Sequence, residues 1–455
     1  MMPKLLFRYY MVFAAIAMAL HTPTAKSEVA SSLVPTRFQD AVEVALIRRA
    51  DVRLTSADVD AATAKVEAAA AAFWPRLNLS AGVDERYNYD SFTGTVVQGS
   101  INGLPLSATV VNKIPRYQAT SALTLNWNLY AGGETTARHE SASASLRSAV
   151  AQRKDAARQV VIDVATAYCE LLKAQIDLDM AATSLEVESL RSEASRQSLA
   201  LGKTSLLAKQ AVMLEQQRAR LRHTKSRLAL EKQWDAYLDA IGVRDTRQPS
   251  SRVALTESED ALQGQLAGWA LSLQAPSNQA AEEALLAAQA QVRAETRALR
   301  PKVDLVVDYS YVGRDDRSFG GSVSDLSRRG FYAGIRFSWT LFDANLLQSR
   351  VKIAATEEVK ANVRAETQLR ERGARKAELA LRVAELEEEE TMLSSLLEFT
   401  LLETEVAKAK QELQQISPYQ YQVQLQAAEE AKMRLKMLRI DLALAKFVMA
   451  MQSST

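Results

Sequence analysis

The stretch Leu123-Thr124-Leu125-Asn126-Trp127-Asn128-Leu129-Tyr130-Ala131-Gly132-Gly133-Glu134 decides how this chain is read. Its first eight residues alternate apolar with polar, which is the period of a β-strand. Two glycines punctuate it, and from Glu134 to Leu201 there is then neither Gly nor Pro. A strand therefore feeds one helix of about 67 residues, roughly 100 Å long at 1.5 Å per residue. The passage recurs as Ile335-Arg336-Phe337-Ser338-Trp339-Thr340-Leu341-Phe342, and from Asn345 to Ser417 only Gly373 interrupts. Eleven residues beyond each tryptophan lies an arginine, Arg138 and Arg350.

Working outward, each of these strands has an upstream companion. Leu77, Leu79, Ala81 and Val83 alternate with Asn78, Ser80, Gly82 and Asp84, and Val303, Leu305, Val307 and Tyr309 with Asp304, Asp308 and Ser310. Trp74-Pro75-Arg76-Leu77-Asn78-Leu79 is echoed by Arg300-Pro301-Lys302-Val303-Asp304-Leu305. The proline ends an incoming helix and starts the strand, a position it tolerates. The plan is helix, hairpin, long helix, turn, helix, and it is given twice. The first repeat spans 36–242 with its hairpin at 76–130, and the second spans 277–451 with its hairpin at 302–342. Between them, 243–276 carries Pro249, Gly264 and Gly268 and is expected to form a collar outside the helices.

Along the rods, Val161, Val164, Tyr168, Leu171, Gln175, Leu178, Ala182 and Leu185 step by three and four, as do Leu379, Val383, Leu386, Glu390, Leu393, Leu397 and Thr400. That is a coiled-coil seam, so the rods pack antiparallel. Gly202 and Pro418 break them at matching places, and each marks a helix–turn–helix tip.

Composition excludes most other classes. Gly (16) and Pro (10) make about 6% of the chain, half the average usage, so turns are few and elements long. Lys plus Arg (56) nearly balances Asp plus Glu (54), which offers nucleic acid no electrostatic footprint. One cysteine rules out an internal disulfide framework or multi-Cys metal site, and the three histidines offer little for catalysis. No cofactor or metal is expected, and no nucleophile, metal cluster or phosphate loop of believable spacing suggests an enzyme. Lys4 and Arg8 precede an apolar run from Tyr9 to Leu20 and then small residues, so 1–27 reads as a secretory signal peptide.

Each strand is about ten residues, the length of a tilted membrane-spanning strand, with aromatics near its ends. A small soluble sheet is the plainer reading of alternation, but the helices offer it no partner domain. Four strands cannot close a barrel, since about eight is the smallest membrane-spanning number. Open edges are not tolerated in lipid, so the chain must share a barrel with its own copies. Three copies give twelve strands with a hole, whereas two would give eight and a filled lumen. Asn78, Ser80, Thr124, Asn126, Asp304, Asp308, Arg336 and Ser338 are expected to line that hole. The fold class is mainly α with a transmembrane β part: a homotrimeric 12-stranded β-barrel continued by a periplasmic α-helical tunnel.

These features, with Asn-Leu-Tyr-Ala-Gly-Gly at 128–133 and Leu-Gly-Lys-Thr-Ser at 201–205, resemble the TolC-like outer-membrane efflux protein family over roughly Thr36 to Met451. The resemblance implies an outer-membrane channel that docks on a periplasmic adaptor (membrane fusion protein) and an inner-membrane pump. Such channels serve tripartite efflux or type I secretion, exporting drugs, metal ions or unfolded proteins. It also implies that the tips contact the adaptor and constrict the tunnel, through Gly202, Thr204, Ser205 and Leu206 at the first and Ser417, Pro418 and Tyr419 at the second. The second tip departs from the family in having Gln414-Gln415-Ile416 where a glycine is usual. The acidic ring that some members carry falls here on Gln420 and Val423, so Gln420 and Gln422 are expected to form a neutral aperture instead. The alternative is a secreted coiled-coil scaffold or adhesin without a pore. Cys169 is expected to be a packed thiol, and Asp90–Lys113 and Gly313–Gly330 loops facing outward.

Overall fold

The computed structural model describes residues 35–86, 94–102, 104–111, 116–202, 205–243, 259–272 and 278–453; the segment 1–27, which reads as a signal peptide, lies outside them. Helices α1 (Phe38–Arg48) and α2 (Ala50–Ala71) lead into strand β1 (Arg76–Glu85). Strands β2 (Gly94–Ile101), β3 (Leu104–Val111) and β4 (Tyr117–Tyr130) follow. Next come the 67-residue helix α3 (Glu134–Ala200), α4 (Leu206–Ala240), α5 (Glu259–Ser272) and α6 (Gln279–Arg297). Strand β5 (Lys302–Asp315), helix α7 (Phe319–Ser324), strand β6 (Arg328–Ser338), the 67-residue α8 (Leu346–Glu412) and α9 (Pro418–Ser453) complete the chain.

Four strands form one antiparallel sheet in the order β1-β4-β5-β6, which leaves β1 and β6 as edges. Two elements appear in segments that read as loops. Within 90–113, β2 and β3 pair as a separate antiparallel hairpin. Within 313–330, Ser318 caps the short helix α7, its Oγ accepting the Gly321 N–H at 3.0 Å.

The repeat extends to atomic detail. Trp127 donates its indole N–H to the Phe73 carbonyl at 2.9 Å, and Trp339 donates to the Leu299 carbonyl at 3.1 Å. Each tryptophan thereby satisfies an orphan carbonyl at the end of the helix that feeds the neighbouring strand. Five and six residues on, the chain turns into the long helix through two left-handed residues. These are Gly132 and Gly133 (φ 64° and 85°) in the first repeat and Ala344 and Asn345 (φ 52° and 68°) in the second. At Gly132 a Cβ would meet the Arg300 Cβ at 2.5 Å, so a side chain is excluded by space as well as by backbone.

Below the sheet the rods stand in the order α4, α3, α9, α8. Helix α4 packs along α3, α8 along α9, and α3 along α9, while α2 and α6 flank the upper part of α3. The main core lies midway down, where Phe38, Val161, Val164, Tyr168, Tyr237 and Ile241 are fully buried. Tyr168 and Tyr237 stack edge to face, and their hydroxyls donate to the Thr36 and Pro35 carbonyls at 3.1 and 2.7 Å, fastening the chain's start to the rods. Helix α5 completes this core from within 243–276. Its Leu262 and Leu266, one turn apart, are buried there despite Gly264 and Gly268. A second cluster joins Val383 and Leu386 to Leu438 and Leu442. Of the two polar seam residues, Glu390 is paired with Arg439 at 2.9 Å. Towards the tip, Gln175, Leu178 and Leu185 are half-buried and Ala182 exposed.

Candidate functional site: a wall section and two tips

The strand register gathers the polar residues onto one face. In an antiparallel sheet directly opposed residues point the same way. One row holds Asn78, Thr124 and Asp308, and the next rows hold Arg76 with Asn126 and Asp304 with Arg336. Ser80 and Ser338 lie on the same face, opposite Ala122 and Lys302. All eight residues expected to line a lumen thus share one side. Two contacts cross it: Thr124 Oγ1 donates to Asp308 at 2.8 Å, and Asn128 Nδ2 to Asp304 at 2.7 Å.

The opposite face is apolar and uncovered. Leu79 is 73% exposed, Phe331 72% and Ile335 70%. An apolar sheet face of this extent is unstable against water and suited to hydrocarbon. No helix among the described residues is long and apolar enough to cross a membrane.

Where the sheet meets the rods, charged groups bolt the two together. Glu134, at the start of α3, is paired with Lys302 of β5 at 2.7 Å and with Arg138 at 2.8 Å. Arg138 reaches Glu295 of α6 at 3.4 Å, and Gln291 donates to the same carboxylate at 2.9 Å. Arg297 and Arg300 donate to the Gly133 and Gly132 carbonyls, each at 3.2 Å. The second repeat lacks this network, since Leu346 occupies the place of Glu134. A cleft of about 1050 Å³ opens beside the junction, with Lys65, Arg76, Asn126, Glu134 and Arg336 in its wall.

At the first tip, Gly202 adopts φ 70° and donates its N–H to the Leu199 carbonyl at 2.9 Å. Ser205 caps α4, its Oγ accepting the Ala208 N–H at 3.1 Å. Leu206 is exposed, and Thr204 lies outside the described residues. At the second tip Gln414 takes the left-handed role with φ 58°, and the Gln415 N–H reaches back to the Lys410 carbonyl at 2.8 Å. Pro418 opens α9 as its first residue. Ser417 and Gln420 form a reciprocal capping box: Gln420 N–H donates to Ser417 Oγ at 3.2 Å, and Ser417 N–H to Gln420 Oε1 at 2.9 Å. The Gln420 side chain is therefore committed to the helix start, a role that Ser-x-x-Gln already announces in sequence. Gln422 is half-buried, and Val423 lines a groove of about 690 Å³ with Phe399, Leu402 and Val406. Tyr419 lies under the Arg191 guanidinium, 5.4 Å from its ring centre, which ties the second tip to α3. Burial raises the Tyr419 hydroxyl above its usual pKa, and Arg191 partly opposes this.

Long antiparallel rods stand beneath a four-stranded sheet that is polar on one face and bare and apolar on the other. Residues 41–243 match the family model described as outer membrane efflux protein, which covers the first repeat. The chain superposes on CusC with a TM-score of 0.69 at 17% identity, covering 94% of this chain and 95% of that one. It is similar to VceC of Vibrio cholerae (0.68, 16% identity, 91% and 94%) and to the CmeC outer membrane channel of Campylobacter jejuni (0.68, 14% identity, 94% and 90%). No curated protein sequence compared matches it. The sequence resemblance to the TolC-like family is borne out in sequence over the first repeat and in fold over nearly the whole chain. Residues 41–243 thus carry the sequence pattern of the outer membrane efflux proteins, and nearly the whole chain has the fold of the solved outer-membrane channels.

Proposed function

We propose that three copies of this chain close one twelve-stranded barrel and a twelve-rod tunnel, forming the passive outer component of a tripartite efflux or type I secretion machine. The observation that carries this reading is the sheet: two open edges, β1 and β6, on a section whose apolar face is bare. Within hydrocarbon each unpaired backbone group costs several kcal/mol, and pairing β6 of one copy with β1 of the next removes that cost. Asn78, Ser80, Thr124, Asn126, Asp304, Asp308, Arg336 and Ser338 then face the water-filled lumen. Gly202, Thr204, Ser205, Leu206, Ser417, Pro418 and Tyr419 form the ends that meet a periplasmic adaptor, which connects to an inner-membrane pump. With Gln420 and Val423 where acidic residues would sit, and Gln422 beside them, the aperture carries no ring of charge, and the pump determines which substrates enter.

The test is purification from outer membranes in detergent, with mass by light scattering and conductance in planar bilayers. A trimer that conducts ions upholds the proposal. A chain that remains soluble and monomeric without detergent would instead be a secreted scaffold. Crosslinking in cells, followed by identification of the linked periplasmic protein, tests the adaptor.

A further inference from the structure

We infer that the cleft beneath the sheet's polar face is a binding site for organic anions, the anionic group held by Lys65, Arg76 and Arg336 and its apolar body lying in an alanine-walled trough between α2 and α3. The cleft belongs to one chain; that it opens onto a water-filled lumen rests on the trimer proposed above.

The walls follow from helical spacing. On α2, Asp58, Ala61, Lys65, Ala68 and Ala72 alternate steps of three and four and so share one face. On α3, Thr135, Arg138, Ala142, Ser145 and Ala149 do the same. The sheet roofs the space with Arg76, Asn126, Asp304 and Arg336, all on its polar face. That face is the one turned away from lipid, so closing the barrel leaves the cleft open to water.

Charge in the cleft is unbalanced. Five basic side chains line it against three acidic ones. Two of the acids are committed: Glu134 holds Lys302 at 2.7 Å and Arg138 at 2.8 Å, and Asp304 accepts the Asn128 amide at 2.7 Å. Lys65, Arg76 and Arg336 are exposed, and their side chains make no hydrogen bond or ion pair with another described residue. They converge from α2, β1 and β6. Neutral residues such as Asn78 and Thr124 suffice to line water, so three unpaired cations exceed that need. Asp58, the third acid, lies two helical turns below Lys65, about 10 Å away. Two residues further up the strands, about 7 Å beyond the Arg76 row, stands Asp308. The positive zone is therefore bounded by a carboxylate on either side, and an anion settles between them. A cleft lined by one sign of charge concentrates the opposite one.

The remainder of the cleft accepts something other than a bare ion. Ala61, Ala68 and Ala72 face Ala142 and Ala149 across the trough, and Trp74, 73% exposed, stands at its edge. Alanine leaves apolar walls with no side chain long enough to fill the space between them. At about 1050 Å³, that space takes a drug-sized molecule. Guanidinium forks suit a carboxylate, sulfonate or phosphate, which they bind through two parallel hydrogen bonds. The pump determines what enters; the cleft acts on what passes.

The test uses the full chain, purified in detergent in a Cys169→Ala background, with Ala68→Cys as reporter. Modification by an anionic methanethiosulfonate is compared with modification by a cationic one, each relative to free cysteine. At low salt the anionic reagent is expected to be favoured at least about tenfold. At about 1 M salt, where the screening length is about 3 Å, the preference should largely vanish. Lys65→Gln with Arg76→Gln and Arg336→Gln should abolish it. Lys65→Arg with Arg76→Lys and Arg336→Lys should keep it, which separates charge from folding. Arg329→Gln, on the opposite face, should leave it unchanged. 2-Naphthalenesulfonate should slow the modification saturably, 2-naphthalenemethanol should not, and inorganic sulfate should act only at far higher concentration. A preference that survives the three glutamines, or equal protection by the neutral compound, overturns the site. These readings need no conductance. A conducting trimer without charge preference or protection overturns the site and leaves the channel standing, whereas a monomer that is protected by the sulfonate overturns the channel and upholds the site.

Discussion

Gly202 and Gln414 hold the same left-handed backbone, φ 70° and 58°, at the two turns where the rods reverse. A residue with a Cβ costs about 1–2 kcal/mol in that conformation, and glycine does not incur it. Gln414→Gly is therefore expected to leave thermal stability unchanged or raise it, because relief of strain offsets the added freedom of the unfolded chain. Gly202→Ala, with open space around its Cβ, should cost about 1 kcal/mol, and Gly132→Ala clearly more because of the Arg300 contact. Melting of the detergent-solubilised variants checks the order, and equal costs at Gly132 and Gly202 would refute it.

The two tryptophan bonds should behave as matching supports. Trp127→Phe and Trp339→Phe each keep an aromatic ring but orphan a helix-end carbonyl, at about 1 kcal/mol apiece. Being in different repeats, the two losses should add. Trp74→Phe, at a residue 73% exposed, is the control and should lower the melting temperature less than either.

Removing Glu134 tests the junction. Glu134→Gln leaves Lys302 and Arg138 without their shared carboxylate, for a loss of about 1–3 kcal/mol given that both cations are partly solvated. Leu346→Gln, at the equivalent place in the second repeat, has no such pair to break and should be near neutral. Comparable destabilisation by both substitutions would argue against the network.

Cys169 offers a pH test. Burial pushes its thiol up to about 12, with the Lys173 charge opposing. Its native state should resist alkylation at pH 8 and react only once unfolded. A raised pKa stabilises the fold fully below the ordinary thiol value of about 9 and loses that contribution as the pH climbs towards 12. Denaturant unfolding of the wild type should weaken over that range by more than Cys169→Ala does. Parallel pH profiles would exclude the effect.

Much of this architecture was legible because its signals are long. A helix of 67 residues is announced by the absence of Gly and Pro, and the polar strand face by alternation that the register then aligns. Shorter elements were missed where local chemistry was ambiguous. The β2–β3 hairpin lies in a Gly- and Ser-rich segment that reads as loop, although Asn102-Gly103 between two apolar runs is a hairpin signal. Helix α5 contains two glycines, and burial of Leu262 and Leu266 outweighs their low propensity. At the second tip no glycine is present to mark the turn, yet Gln414 adopts the left-handed geometry, and the Ser417–Gln420 box fixes the helix that follows. The expected aperture residues were chosen by alignment to a family pattern, which cannot reveal that the Gln420 amide is engaged in capping.

The uninterrupted rods also act as a ruler. Because α3 and α8 contain the same number of residues, the two tips of one chain hang nearly level, and any protein that receives them meets a rim rather than a staircase. Excising seven residues from every rod would preserve each seam and raise that rim by about 10 Å. The reach of the rods is thus written in heptads.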